Sequence, residues 1–309
     1  MSKSAVTLPD PYELGGCVYY SQNREDLILQ AFFPGEIKGF YVDVGAFDPD
    51  LDSVTKLFYL QGWRGINVEP QTDRYQRFQQ RRKRDINLNM GVSTEETTLT
   101  LRAYKSGGLS TFSDTIKQAY EKAPDVDTRE YTETTVPVRP LRNIFAEHKV
   151  KQIQWLKVDV EGMEYEVLAS NDWQTYRPEV LCIEANHIQK DWHPLLKNAG
   201  YELVFDDGLN EYFADKHTDR KKKFNYVEEV VHDRGGGIRD EHFQMIVSWR
   251  NLALEKANHV DELAREKERM QAGLDKYEQR ITSLEAAQNS IKGTTRRLVH
   301  LLTRKFGAK

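Results

Sequence analysis

The sequence predicts an α/β fold built on a largely parallel sheet, with a separate helical appendage at the C-terminal end. Three observations carry this. Short apolar runs alternate with helical segments from Tyr19 to Ala214, which is the pattern of strands joined by helical crossovers. The last two runs, YELVF and NEYFA, are separated only by a DDGL turn and predict a hairpin, hence an antiparallel last strand. The 309 residues, 39% of them hydrophobic, supply one sizeable core plus an extension.

In chain order, residues 1–18 form an N-terminal extension with no apolar leader core. YSQNREDLIL follows, placing Gln22, Glu25 and Asp26 ahead of the sheet, with Ser21 as a candidate cap. The predicted strands are FYVDV (40–44), GINV (65–68), INLNMGV (86–92), IQWLKVDV (153–160) and EVLCIEAN (179–186). Between them lie the helix candidates SVTKLFYLQ, TDRYQRFQQRRKR, LRNIFAEHK and MEYEVLAS. This sheet domain spans 19–215, and the basic HTDRKKKF and triple-glycine VHDRGGGIRDEHF segments make 216–248 a linker or flexible excursion.

From Trp249 proline vanishes and apolar residues recur in one heptad frame, with Val260, Leu274 and Ile281 at a and Leu263, Met270, Tyr277, Leu284 and Ile291 at d. Residues 249–291 are therefore expected to form a coiled-coil helix that makes homo-oligomers; Lys267 and Gln288 at a, and Gly273, weaken it. Residues 292–309 carry six Lys or Arg and no acid, interleaved with Leu298, Val299, Leu301, Leu302 and Phe306. Such a basic amphipathic tail suits peripheral membrane contact or a partner enzyme.

The net charge of −4 offers no bulk field for nucleic acid. Cys17 and Cys182 stand far apart without metal-ligand spacing, which fits a reducing cytoplasm. No run approaches a membrane span of about 18 apolar residues.

The chemistry starts at FYVDVGAFDPD, Phe40 to Asp50. A pyrophosphate needs the second and third glycines of GxGxxG to approach a helix start. Here Gly45 stands alone, followed by Ala46, Phe47, Asp48, Pro49 and Asp50, which crowd and repel a dianion. NAD and ATP are poor candidates. A nucleoside with a positive charge and no phosphate fits better, and S-adenosylmethionine is such a ligand: Asp43 faces a cation, Gly45 lets the backbone come near, and Glu69 at the end of GINVEP takes the ribose hydroxyls. Asp48, Asp50 or Asp52 can instead cap the helix starting near Ser53.

Six blocks in order, YSQNREDLIL, FYVDVGAFDPDLDSVTKLFYLQGWRGINVEP, SGGLSTF, VPVRPL, WLKVDVEGMEYEVL and FDDGLNEYF, resemble the FkbM-type S-adenosylmethionine-dependent methyltransferases over about Tyr19 to Ala214, nearest the polysaccharide-biosynthesis branch. The resemblance implies a Rossmann-like class I methyltransferase sheet and transfer of a methyl group to a hydroxyl of a glycan or glycosylated acceptor, in the cytoplasm or at the inner membrane face. The loop departs from the commoner DVGANxG form, with Phe47 for Asn and Asp48-Pro49 ahead of the helix. The expected cofactor residues are Asp43, Gly45, Ala46, Phe47, Ser53, Glu69, Pro70 and Asn89.

Methyl transfer to a hydroxyl needs positioning and a proton acceptor. Asp159 and Glu161 in KVDVEG stand at a strand end and are the catalytic candidates, although Glu161 can equally cap the helix from Met163. His187 in EANH is a further candidate base. Asp159 and Glu184, with His187, can alternatively hold Mg²⁺. The KSGGLSTF loop has hinges at Gly107 and Gly108 and offers Ser110 and Thr111 to sugar hydroxyls. Trp63, Trp155, Trp173 and Trp192 are assigned to the core. A scaffold that has lost turnover, or a non-sugar acceptor, is the competing reading.

Overall fold

The computed structural model describes residues 18–104, 109–123, 128–186, 190–224 and 238–239, and in the C-terminal stretch 259, 263–280, 282–283, 286 and 297. The chain divides into two compact units, Pro9–Phe243 and a second one made of Met1–Leu8 with Gln244–Lys309.

In the larger unit, β1 (Val18–Tyr19) and α1 (Glu25–Ala31) precede β2 (Phe40–Val44), α2 (Val54–Leu60), β3 (Arg64–Val68), α3 (Thr72–Arg81) and β4 (Ile86–Leu88). A second group follows: β5 (Gly91–Val92), β6 (Thr97–Tyr104), β7 (Ser110–Thr111), α4 (Asp114–Lys122) and β8 (Tyr131–Arg139). The chain then returns through α5 (Leu141–Glu147), β9 (Ile153–Val158), α6 (Glu164–Ala169), β10 (Pro178–Glu184), α7 (His193–Ala199), β11 (Tyr201–Asp206), β12 (Asn210–Asp215), α8 (Arg220–Lys223) and β13 (Ile238–Arg239).

Seven strands form the central sheet in the order β11-β12-β10-β9-β2-β3-β4. From β2 the chain builds outward through β3 and β4, then comes back to place β9 and β10 on the other side. The switch of direction therefore falls between β2 and β9, which pair in parallel. β12 runs antiparallel to both β10 and β11.

Alternate residues along the central strands enter two different cores. Val42, Val44, Leu156, Val158, Leu181 and Ile183 pack with Leu141, Ile144 and Phe145 of α5, Val167 and Leu168 of α6 and Leu196 of α7. Tyr41, Trp155, Val180 and Cys182 pack on the opposite face with Ile28 and Leu29 of α1 and Val54 and Phe58 of α2. A parallel sheet covered on both faces is the result, and it explains the apolar runs of its strands. Trp63, Trp155 and Trp192 are fully buried, and Trp173 packs edge-on against Tyr201.

Three expectations need correction. The run 86–92 is not one strand: β4 belongs to the central sheet and β5 to a four-stranded sheet ordered β5-β8-β6-β7. That second sheet, α4 and α7 were not anticipated. The boundary at 215 is also too early. Arg220 is buried and bonds the Phe32 carbonyl, Glu36 and Glu179, and Phe224 stacks on Phe32, so residues 216–224 belong to the packed unit.

In the smaller unit, residues 263–280 are helical. Leu263, Met270, Leu274 and Tyr277 are each at least half exposed. Val260, Ile281, Leu284 and Ile291 of the heptad frame, and nearly all of the basic tail 292–309, lie outside the described residues.

One carboxylate ties the first two crossovers together. Asp85 accepts from the Tyr41 hydroxyl at 2.6 Å, the Gly65 amide at 3.0 Å and the Asn67 side chain at 3.1 Å. Replacement by alanine leaves the Tyr41 hydroxyl and the Gly65 amide without this acceptor and Asn67 with only its bond to Asn87, and Asp85→Ala is expected to lower stability by about 2–3 kcal/mol. Urea unfolding followed by tryptophan fluorescence checks this; an unchanged midpoint would count against the bonding scheme.

Candidate active site

The loop after β2 is shaped by a backbone crossing. Gly45 has φ +86°, and a Cβ placed there would lie 1.8 Å from the carbonyl oxygen of Asp159. The expectation that Gly45 makes room for a ligand is thus incomplete, because its missing side chain first makes room for the chain leaving β9. The Gly45 and Ala46 amides both donate to the Val68 carbonyl. Phe47 then turns into the left-handed region at φ +58°, a costly conformation for a bulky residue, which aims its amide at Glu69 Oε2, 2.8 Å away. Arg74 lies 3.8 Å over the Phe47 ring.

Asp48 and Asp50 are engaged elsewhere than at the start of α2. Ser53, its N-cap residue, makes no side-chain cap bond. Asp48 accepts from the amides of Asp50 and Leu51 at 2.8 and 2.9 Å and pairs with Arg77. Asp50 pairs with Arg81 at 2.9 Å and Lys56 at 3.7 Å. These two acids close a turn and anchor α3, while Asp52 lines the pocket below.

That pocket, about 330 Å³, opens at the carboxyl ends of β2, β3, β9 and β10, where ligands of open α/β sheets collect. Asp43, Gly45, Ala46, Phe47, Glu69 and Pro70 line one part, and Asp159, Glu161, Glu184 and Ser110 another. Glu69 is held at four points. Its amide donates to the Leu88 carbonyl, its carbonyl accepts from Asn89, and its two carboxylate oxygens accept from Phe47 and Gln71. Each oxygen keeps one further lone pair. Burial pushes the Glu69 pKa up to about 8, against the pull of these amides.

Asp43 sits in register with Asn67 on one side and Lys157 on the other. It is 2% exposed, and its Oδ1 has no hydrogen-bond partner among the described residues. Burial raises its pKa to about 6, with Lys157 opposing. Lys157 is itself buried and reaches Asp159 Oδ2 at 2.7 Å. Burial disfavours its charge, but Asp159 and Asp43 outweigh that and hold it above the usual lysine range. One ammonium group therefore links the two acids across the switch point.

Asp159, Glu161 and Glu184 bring carboxylate oxygens within 4.8 Å of one another. Glu161 is held in the left-handed region at φ +55°. Thr111 donates to its carbonyl at 2.8 Å and the Tyr120 hydroxyl donates to its carboxylate. Glu161 does not cap α6, whose N-cap Met163 makes no side-chain cap bond; Glu164 braces the loop ahead of the helix, accepting from the amides of Val160 and Gly162 at 3.2 and 3.1 Å. Burial and then Asp159 push Glu161 up to about 7. Burial, Asp159 and Glu161 push Glu184 up to about 10.

Three expected site residues do not line the pocket. Ser53 is buried and accepts from Arg82. Asn89 clamps the Glu69 and Pro70 carbonyls. The Thr111 hydroxyl is engaged by Glu161 and Ser113. His187, Gly107 and Gly108 lie outside the described residues. Lys157, Tyr120, Arg74 and Glu164 were missed. A lysine inside the apolar run IQWLKV was a readable signal, since buried charges need partners; Tyr120 lies 41 residues from Glu161 and left none.

A family model for the methyltransferase FkbM domain matches residues 43–203, more than half of the chain. The chain belongs to the FkbM methyltransferase family. The match begins at Asp43 and encloses Glu69, Asp159, Glu161 and Glu184. FkbM methyltransferases generally draw their methyl group from S-adenosylmethionine. No curated protein matches the chain.

The clustered carboxyls set the pH response of the FkbM domain. The pKa values of Glu161 and Glu184 are raised on folding, so their neutral forms stabilise the fold fully below about pH 4.5. That contribution is lost as pH rises through about 7 for Glu161 and about 10 for Glu184. Glu184→Gln is expected to raise the urea midpoint at pH 9, in chelator, and to flatten its decline between pH 5 and pH 9. Parallel pH profiles for variant and wild type would contradict this.

Proposed function

We propose that the chain transfers a methyl group from S-adenosylmethionine to a hydroxyl of a sugar or glycan, in surface polysaccharide biosynthesis. The carrying observation is one pocket with acids in two groups, the buried Asp43 and Glu69 at the ends of β2 and β3, and the half-buried Asp159, Glu161 and Glu184 at the ends of β9 and β10. Asp43 offers an unpartnered buried oxygen to a cation. Glu69 offers the remaining lone pairs of a fixed carboxylate to vicinal ribose hydroxyls. S-adenosylmethionine bound there supplies an electrophilic methyl group.

The remaining acids handle the acceptor. Asp159, oriented by Lys157, accepts a hydrogen bond from the reacting hydroxyl. Glu161, poised near neutrality and steadied by Tyr120, takes its proton as the new C–O bond forms and the C–S bond breaks. Ser110 at the pocket wall contacts the sugar. The sugar itself rests on the resemblance to the polysaccharide branch.

A second reading has one supporting observation. Three carboxylate oxygens within 4.8 Å of one another suit an oxygen-seeking divalent ion such as Mg²⁺. In that version Asp159, Glu161 and Glu184 are ligands, and the ion orients and acidifies the acceptor hydroxyl.

The remaining proposals concern assembly. The apolar residues exposed along 263–280 support self-association through 249–291. The tail 292–309 is proposed to contact a membrane surface or a partner enzyme at the inner face, from the cytoplasm. Among the described residues no helix is long and apolar enough to cross a membrane.

Transfer of radiolabelled methyl groups to a panel of sugars and glycans tests the reading. Asp159→Asn and Glu161→Gln are each expected to lower turnover by roughly 10²-fold or more. Unchanged turnover in excess chelator selects the metal-free version, and loss restored by Mg²⁺ selects the other. Absence of transfer to any hydroxyl acceptor, with S-adenosylmethionine bound, would overturn the acceptor assignment.

A further inference from the structure

A second concavity, of about 630 Å³, lies at the opposite edge of the central sheet, where β2, β3, β4 and β9 begin. Its wall is strongly one-signed. Lys38, Arg64, Arg84, His148, Lys149 and Lys151 line it, and no described carboxylate does. The whole chain carries a net charge of −4, so this basic groove runs against the overall field rather than following it.

The cations are not consumed by neighbouring acids. Among the described residues, Lys38, Arg64, Lys149 and Lys151 lack a carboxylate within 4.0 Å. Arg84 is held by the Tyr59 carbonyl and lies 3.9 Å over the Tyr59 ring, contacts that fix its guanidinium without neutralising it. Glu147 stands 4.0 Å from His148 but is engaged by Arg139 at 2.7 Å. Lys149 is in the left-handed region at φ +52°, unusual for a lysine, directly after α5. The carboxyl end of α5 favours nearby cations, which accounts for Lys149 and Lys151 but not for Lys38, Arg64 or Arg84, which come from three other segments.

Like charges gathered around one concavity repel, and a multivalent anion relieves that repulsion while taking charge-assisted hydrogen bonds from several donors. A single carboxylate engages too few of them. The volume falls in the usual range for small-molecule sites and leaves room for an organic group beside the phosphates. We propose that this groove binds a ligand carrying two or more phosphate groups, at a site separate from the methyltransferase pocket.

Calorimetric titration with inorganic pyrophosphate at low ionic strength tests this on the full chain. Combined Arg64→Gln, Lys149→Gln and Lys151→Gln substitutions are expected to weaken binding at least tenfold. A variant with the same charge loss elsewhere, Lys122→Gln, Lys197→Gln and Lys222→Gln, is expected to change it less than twofold. Sedimentation with phosphatidylglycerol vesicles separates the sources of phosphate. Retention that requires the groove residues and is competed by pyrophosphate assigns the phosphates to a lipid headgroup. Pyrophosphate binding without vesicle retention assigns them to a soluble ligand. No saturable pyrophosphate binding to the wild type, or equal loss in both variants, would overturn the proposal.

Discussion

The contact on which the site depends is the crossing of two backbones at the switch point of the sheet. The β2–β9 ladder continues one step past β9, with the Asp159 amide donating to the Val44 carbonyl. The Asp159 carbonyl then occupies the space where Gly45 would carry a Cβ. No side chain fits between them. The loop that leads to Phe47 and Glu69 is thereby pressed against the segment that carries Asp159 and Glu161, so one pocket draws on both halves of the sheet.

The same crowding concentrates negative charge where water is scarce. Asp43, Glu69, Glu161 and Glu184 are all raised by burial, and Lys157 offsets this only in part for Asp43, Glu161 and Glu184 and not for Glu69. Such an arrangement costs stability in the free protein, and perturbed carboxyls in one cleft mark a functional site more often than a structural one. It is relieved when a cation enters or when hydroxyls donate to the acids. That electrostatic demand is the link between the fold and a positively charged, hydroxyl-rich ligand.

Much of this is legible in the amino-acid sequence. FYVDV and GINV read directly as strands because both faces are buried, and Glu69 stood out as an acid closing a strand. The second sheet is hidden because TTLTLRAY and YTETTVPVR mix threonine with apolar residues, and the latter is largely exposed and contains Pro137. HPLLKNAG does carry helix punctuation, a proline at the start and Gly200 at the end, but the helix is only seven residues long. At the site, the sequence showed which acids lie near strand ends but not which one turns inward. Glu161 and Glu164 are three residues apart with the same chemistry, and their division of labour is decided by Thr111 and Tyr120, 50 and 41 residues away. Ser53 and Asn89 were plausible by position, yet Arg82 and the Glu69 carbonyl claim them.

The central claim is that a single-glycine loop with Asp43 and Glu69 selects a nucleoside that brings a positive charge and no phosphate. Calorimetric titration of S-adenosylmethionine into the wild type and Glu69→Ala, with NADH and ATP as competitors, tests it most directly. The account predicts micromolar binding that weakens at least tenfold in the variant, and no measurable affinity for NADH or ATP in the same pocket. Undiminished binding to Glu69→Ala, or micromolar displacement of S-adenosylmethionine by either phosphorylated nucleotide, would contradict it.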